Sequence, residues 1–257
     1  MKLIALYTVF NGLELLKDSI DNIKDHVDEI IVCYQDVSNK GEKSYKVAEF
    51  CYKLASDKIL VAKFIPDLKF NTKRNEMNKH NFMLQIAKVR GATHYILMAT
   101  DHFYKPSEFS RAKEVCEIMD YDVTFTDMYT YYKHPVWQLF PIENYSMPFI
   151  CKMLPETQFE RVPQYPVKVD PSIQVNTCGK WYKFNEKDIM MHHYSMIRDD
   201  IENKFRNAAA SIRWSPEQIE AFKDQYYNYD LKINPGIKYF QGRKVRIVDD
   251  FFDLNNP

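Results

Sequence analysis

Apolar residues enter this chain in short unbroken runs, separated by stretches where they recur every three or four positions. Lys2 to Phe10 (KLIALYTVF) reads as a buried strand. Asn11-Gly12 breaks it. Leu13, Leu16, Ile20 and Ile23 then follow at helical spacing, with Lys17, Asp18, Asp21 and Lys24 on the opposite face. Asp28 to Tyr34 is a second strand, ending in Gln35-Asp36. A β–α–β order with so short a crossover implies parallel neighbours. Val47, Phe50, Cys51 and Leu54 mark one face of a second helix, and Lys58 to Phe64 is a third strand. A third helix runs from about Arg74 to Arg90 and is stopped by Gly91. Tyr95 to Ala99 is the fourth strand. Strands alternating with helices predict an α/β fold with a mostly parallel central sheet.

Beyond Pro106 the pattern changes. Ser107 to Met119 predicts a helix with Ser107 as N-cap. Tyr121 to Thr126 predicts a strand that ends at Asp127. From Tyr129 to Pro148 aromatics and prolines crowd together, which predicts no single regular element and suggests a lid or a binding-site wall. Phe149 to Pro171 is irregular, and Lys187 to Tyr194 is a short strand or turn. Asp199 or Asp200 opens an amphipathic helix carrying Ile201, Phe205 and Ala208. Ser215-Pro-Glu-Gln is a strong helix start. The tail, Arg243 to Phe252, reads as a strand plus an extended arm. No internal repeat is visible.

Composition removes several functions. The chain has 257 residues, with 35 basic and 35 acidic side chains and a formal net charge of zero. It is therefore not a bulk electrostatic binder of nucleic acid, although a local basic groove stays open. Glycine is scarce, at 6 residues, and neither a P-loop nor a G-x-G-x-x-G turn is present. Cys33, Cys51, Cys116, Cys151 and Cys178 form no C-x-x-C pair, so reduced thiols are expected rather than a disulfide frame or a zinc site. With no long apolar stretch and no signal-like pattern, a soluble cytoplasmic protein without stable membrane insertion is expected.

The chemistry concentrates at the end of the fourth strand. There the run Tyr95–Ala99 gives way to Thr100-Asp101-His102-Phe103. In open α/β sheets ligands gather beyond the C-terminal ends of the strands. A carboxylate there, with imidazoles available, suits a divalent metal. The plainer reading is an Asp that caps the following turn.

Four segments together resemble the GT-A glycosyltransferases, in particular the family 2-like enzymes. They are Leu3–Asn11 with Val27-Asp-Glu-Ile-Ile-Val32; Arg74-Asn75 through Gly91 to Met98; Ala99–Phe103, where the family has a D-x-D-E-F-like motif; and His193-Tyr-Ser-Met-Ile-Arg198. The resemblance covers most of residues 1–105 and about 187–207. One departure matters: Ala99 stands where the first Asp of D-x-D would be.

The resemblance implies a GT-A-like (Rossmann-like) sheet flanked by helices, with an irregular acceptor-side region and a helical C-terminal part. Residues 1–127 would form the nucleotide-sugar half and 128–257 the acceptor side, packed as one domain. It implies a nucleotide-sugar donor of the UDP type, a glycan or protein hydroxyl as acceptor, and Mn2+ or Mg2+ held by Asp101 and His193, with His102 as a lesser candidate. The donor would meet Tyr7, Thr8 and Asn11 after the first strand, Gln35 and Asp36 after the second, Thr100 beside the metal, and Arg198. Lys73, Arg74 and Asn78 near the third helix start would face the diphosphate. Lys204 and Arg206, near Arg198, could close over the phosphates with it, although both read more simply as surface charge. A general base for an inverting transfer would be Asp127, or else Glu143. Trp137, Tyr131, Tyr132 and Trp181 are stacking candidates, although core packing explains most such rings.

Three alternatives remain open. A DNA glycosyltransferase acting on hydroxymethylated bases would need a basic groove, around Lys133, Lys152, Arg161 and Lys168. A nucleotidyltransferase shares the sheet but needs a glycine-rich first loop, which Tyr7–Gly12 is not. A degenerate GT-A-like binding protein is favoured by Ala99.

Overall fold

The computed structural model describes residues 1–160, 165–208, 211 and 213–254; Arg161 lies outside them. The first half follows the predicted order. Strands β1 (Leu3–Val9), β2 (Glu29–Tyr34), β3 (Ile59–Lys63) and β4 (His94–Ala99) alternate with helices α1 (Leu13–Ile23), α2 (Val47–Lys53) and α3 (Thr72–Val89). A two-residue strand β5 (His102–Phe103) leads into α4 (Pro106–Met119). That helix begins one residue earlier than the sequence suggested, with Lys105 as N-cap and Pro106 in its first turn.

The crowded aromatic region is more regular than its prolines predicted. It holds β6 (Val123–Tyr132), β7 (Trp137–Phe140) and β8 (Ser146–Lys152). Pro135 and Pro141 fall in the connections. Pro148 sits within β8, opposite Phe125, beside a register shift in the ladder. The division expected at 127/128 falls inside β6. The chain ends with β9 (Trp181–Lys183), β10 (Met191–Met196), α5 (Ile201–Asn207), α6 (Pro216–Tyr227) and β11 (Lys244–Ile247). Asp200 caps α5 by accepting from Asn203 N–H, and Ser215 with Gln218 forms a capping box on α6.

The sheet runs β11-β7-β6-β8-β4-β1-β2-β3. The four strands β3-β2-β1-β4 are parallel, and β8 enters antiparallel between β4 and β6. Alternate residues of β1 feed two cores. Leu3, Ala5, Tyr7 and Val9 pack with α1, α2 and α4 through Leu16, Ile20, Cys51 and Phe109. Ile4 and Leu6 pack with α3 through Met77, Met83 and Leu84. Covering both faces is what lets these strands be continuous apolar runs, and each fully buried Leu or Ile contributes about 1.5–3 kcal/mol. A third, aromatic core joins α5 and α6 to the sheet through Tyr132, Phe205, Tyr226 and Phe240. No helix among the described residues is long and apolar enough to cross a membrane.

Candidate functional site at the carboxyl ends of the central strands

The chain lays β2 and β3 on one side of β1 and then returns to place β4 on the other. This makes a topological switch point between β1 and β4, where the connections diverge and leave a crevice. A cleft of about 230 Å³ lies there. Thr8 and Ala99 are register partners at its floor. Gly12 follows in the left-handed region (φ 73°) and starts α1. A Cβ there would stand 2.4 Å from Thr100 Oγ1 and 3.1 Å from Arg198 Cζ. Bare backbone at this position therefore lets the tip of β4 and Arg198 close on the loop after β1.

The pairing of β5 with β10 builds the acidic corner. His193 is directly opposite His102, and Tyr194 N–H donates to the Asp101 carbonyl at 2.9 Å. The two imidazoles meet edge to face at 5.2 Å. Strand alternation sends His192 to the other side, where its Nδ1 bonds the Tyr131 hydroxyl at 2.7 Å. Of the two adjacent histidines, His193 thus faces the cleft. His102, the lesser candidate on sequence grounds, faces it too.

Asp101 is buried (3% exposed) and takes a hydrogen bond from Arg198 Nη2. Lys204 Nζ is 3.6 Å from the same carboxylate oxygen and His193 Nε2 is 3.7 Å from it; His102 Nε2 is 3.8 Å from the other oxygen. Burial alone would raise the Asp101 pKa. Arg198 first, then Lys204, overcome this and hold it well below the usual carboxylate range. Burial pushes His102 down to about 4 and His193 to about 3, so both rings are neutral at pH 7. Burial, then Arg198, lowers Lys204 to about 8. Arg198 also donates to the Ile197 carbonyl at 2.9 Å and lies 3.9 Å from Glu14.

Asp101, His102 and His193 present ligand atoms within 4.8 Å of one another, close enough to share one ion. Their surroundings limit what the chain itself offers an ion. Ala99 N–H donates to His102 Nδ1 at 3.2 Å, so the neutral ring carries its proton on Nε2 and offers no lone pair there. The only carboxylate of the set is already engaged by two cations. This corner supplies one carboxylate, so a hard dication would take most of its oxygens from water or substrate.

At the other end of the cleft, Lys79 on α3 is buried and donates to Gln35 Oε1 at 2.6 Å. Gln35 Nε2 donates in turn to Val37 O and Asn39 Oδ1, at 3.1 and 2.9 Å. Every polar atom of the Gln35 side chain is thus engaged, and it holds Lys79. Burial lowers the Lys79 pKa. The lining contains three cations, Lys79, Arg198 and Lys204, against two carboxylates, Glu76 and Asp101, an excess of one positive charge. A loop over the cleft is fastened to α5. Lys40 Nζ donates to Arg206 O at 2.7 Å and to Ser211 Oγ, and Asn207 Nδ2 donates to Glu42 at 2.8 Å.

Of the residues expected from sequence, Thr8, Asn11, Gln35, Thr100, Asp101, His193 and Arg198 line this one cleft. Others sit elsewhere. Tyr7 is fully buried, its hydroxyl donating to Ser19 O at 2.9 Å, and belongs to the core. Asp36 pairs with Lys63 at 2.6 Å. Lys73 is held by Asp170 and Glu76 at 2.8 and 3.4 Å. Arg74 is exposed near the Phe70 ring, and Asn78, half-buried on α3, is outside the cleft lining. Asp127 and Glu143 line a separate cavity of about 410 Å³ that shares no residue with the first. There Asp127 pairs with Lys183 at 2.8 Å, and Glu143 accepts from Thr130 at 2.7 Å. Tyr131 and Tyr132 are core residues, Trp137 packs at the edge of the aromatic core, and Trp181 is exposed. Lys133, Lys152 and Lys168 engage three different neighbours: Tyr227 O, Asp120 and the Tyr145 ring.

Gly12, Glu76, Lys79 and Asn207 were not singled out as donor-site residues from sequence. Lys79 carried a usable signal: it falls four residues after Asn75 and four before Met83, on the buried stripe of α3. A lysine on such a stripe needs a reason. Lys204, read from sequence as surface charge, is largely buried beside Asp101; as one of several charges on a short helix it gave no sign of that.

No protein-family model matches the chain, and no curated protein matches it in sequence. Among solved structures, the chain is similar to S. aureus TarS 1-349, at 12% identity over 88% of this chain and 69% of that one, with a TM-score of 0.49. For TarS 1-349 in complex with UDP the figures are 10%, 90%, 73% and 0.48. For its complex with UDP-GlcNAc they are 12%, 88%, 70% and 0.47.

Proposed function

We propose that this chain is a glycosyltransferase that moves a sugar from a nucleoside diphosphate donor to a hydroxyl of a glycan or protein. The observation that carries the reading is the placement of three cations, Lys79, Arg198 and Lys204, in one crevice at the switch point between β1 and β4. Such a crevice is where an α/β sheet receives nucleotides, and its excess positive charge suits a diphosphate. The resemblance of the sequence to family 2-like GT-A enzymes gives the crevice its chemistry. In the transfer, the acceptor oxygen bonds to the anomeric carbon while the bond from that carbon to the diphosphate oxygen breaks. The electron pair leaves with the nucleoside diphosphate, and the acceptor proton passes to a base. Asp127 and Glu143 are proposed for that base; they line a separate cavity, so the acceptor would have to extend from it into the donor cleft with its reacting hydroxyl within reach of one of them.

The test is a thermal-shift panel of UDP, GDP, ADP, CDP and dTDP with their sugar conjugates. Ligand that binds only the native state raises Tm, by about 2.7 kcal/mol of stability at a hundredfold excess over Kd. One nucleotide should stand out, and its sugar conjugate should release nucleoside diphosphate on incubation. If no nucleotide shifts the transition, the donor reading fails.

A further inference from the structure

Resting on the donor-site reading above, we infer that Arg198 and Lys204 take the place of a divalent ion in neutralising the leaving diphosphate. The argument starts from Ala99. At the tip of β4 the carboxylate a dication could use is Asp101, since the residue two positions before it supplies none, and Asp101 is already held by Arg198 and Lys204. His102 cannot complete the set while its Nδ1 accepts the Ala99 N–H. The site has instead gathered two fixed cations. Arg198 is almost fully buried (3% exposed side chain), and Lys204 is largely so (19%). Both converge on one oxygen of Asp101 and both line the cleft.

Asp101 then has a different part. It is the counter-charge that keeps two cations side by side while the cleft is empty, and so it is a positioning residue. A diphosphate entering the cleft brings anionic oxygens that these cations can bind in the same way. Arg198 offers a planar pair of N–H donors and Lys204 a point charge. As the bond between anomeric carbon and phosphate oxygen breaks, negative charge grows on that oxygen. Preorganised donors in a partly dehydrated cleft stabilise it as it forms.

The experiment uses inorganic pyrophosphate and UDP as probes, by calorimetry on the whole chain, in EDTA and in Mn2+ or Mg2+. Pyrophosphate carries the charge without base or sugar, so its binding does not depend on which donor is used. The expected result is pyrophosphate binding in EDTA within twofold of that with metal. Lys204→Met should weaken it at least tenfold, and Lys204→Arg should restore most of it. Circular dichroism on both variants separates misfolding from lost charge. A tenfold or greater loss in EDTA, or Lys204→Met binding like wild type, would overturn the inference. Metal-free pyrophosphate binding lost in Lys204→Met, with no nucleotide sugar turned over, would leave the cation site standing and remove the transferase reading instead.

Discussion

At the scale of single residues, Gly12 shows how one missing side chain assembles the cleft. It shares the left-handed conformation with Gly91, at φ 73° and 74°. They differ in what surrounds them: a Cβ on Gly91 meets nothing within 4 Å, whereas one on Gly12 would press on Thr100 and Arg198. Alanine at either site costs about 1 kcal/mol of backbone strain. Only Gly12→Ala must also displace the Arg198 guanidinium. Both variants should therefore lose a few degrees of Tm, and only Gly12→Ala should weaken pyrophosphate or nucleotide binding, by tenfold or more. Equal binding by the two variants would show that Arg198 can give way without loss.

Elements carried the readable part of the sequence, and their packing partners the unreadable part. The four parallel strands and their helices were legible because an apolar run bounded by a periodic amphipathic segment admits few other interpretations. β6 was legible only to Thr126. Its continuation through Tyr129–Tyr132 pairs with β10 and β7, and such long-range pairing leaves no local trace. Of the prolines in that region, Pro135 and Pro141 punctuate the β6–β7–β8 connections, and Pro148 is taken into β8 itself. For the site, strand tips and the order Asp101…His193…Arg198 pointed to residues that line one cleft. Lys204 read as surface charge in the sequence because α5 is placed by tertiary contacts. Two things place it: the apolar residues Ile201 and Phe205, and the fastening of its C-terminal end to Lys40 and Glu42. Exposed polar pairs of this kind contribute about 0–1 kcal/mol. The double variant Lys40→Met/Glu42→Gln should thus shift Tm by little, yet speed nucleotide release several-fold in stopped-flow measurements by loosening Lys204. Unchanged release would mean the apolar face alone fixes α5.

On the scale of the whole molecule, the buried imidazoles set how the fold responds to acid. Burial is the leading cause in each: it pushes His80 and His102 down to about 4 and His192 and His193 to about 3. These residues are spread across the structure. His80 sits on α3 with its Nδ1 donating to Ser172 O at 3.0 Å, His192 lies among Tyr131, Phe251 and Phe252, and the other two line the cleft. Unfolded, each would titrate near its ordinary 6.5. Between that value and the native one, the unfolded chain binds protons that the native chain does not, so stability rises with pH in this window. The stabilisation is complete above about pH 6.5 and is lost as pH falls from there towards 4. Each such histidine adds a slope of about 1.4 kcal/mol per pH unit at its steepest. Asp101 acts in the same direction at still lower pH, since protonating it removes the counter-charge of Arg198 and Lys204. Urea unfolding at pH 7, 6 and 5 should therefore show a falling midpoint with little change in m-value. His80→Gln, which retains a donor for Ser172 and lies outside the cleft, should flatten the slope by the share of one group. A midpoint constant from pH 7 to pH 5 would mean that these rings reach water in the native state, and that the two imidazoles beside Asp101 are open to protonation.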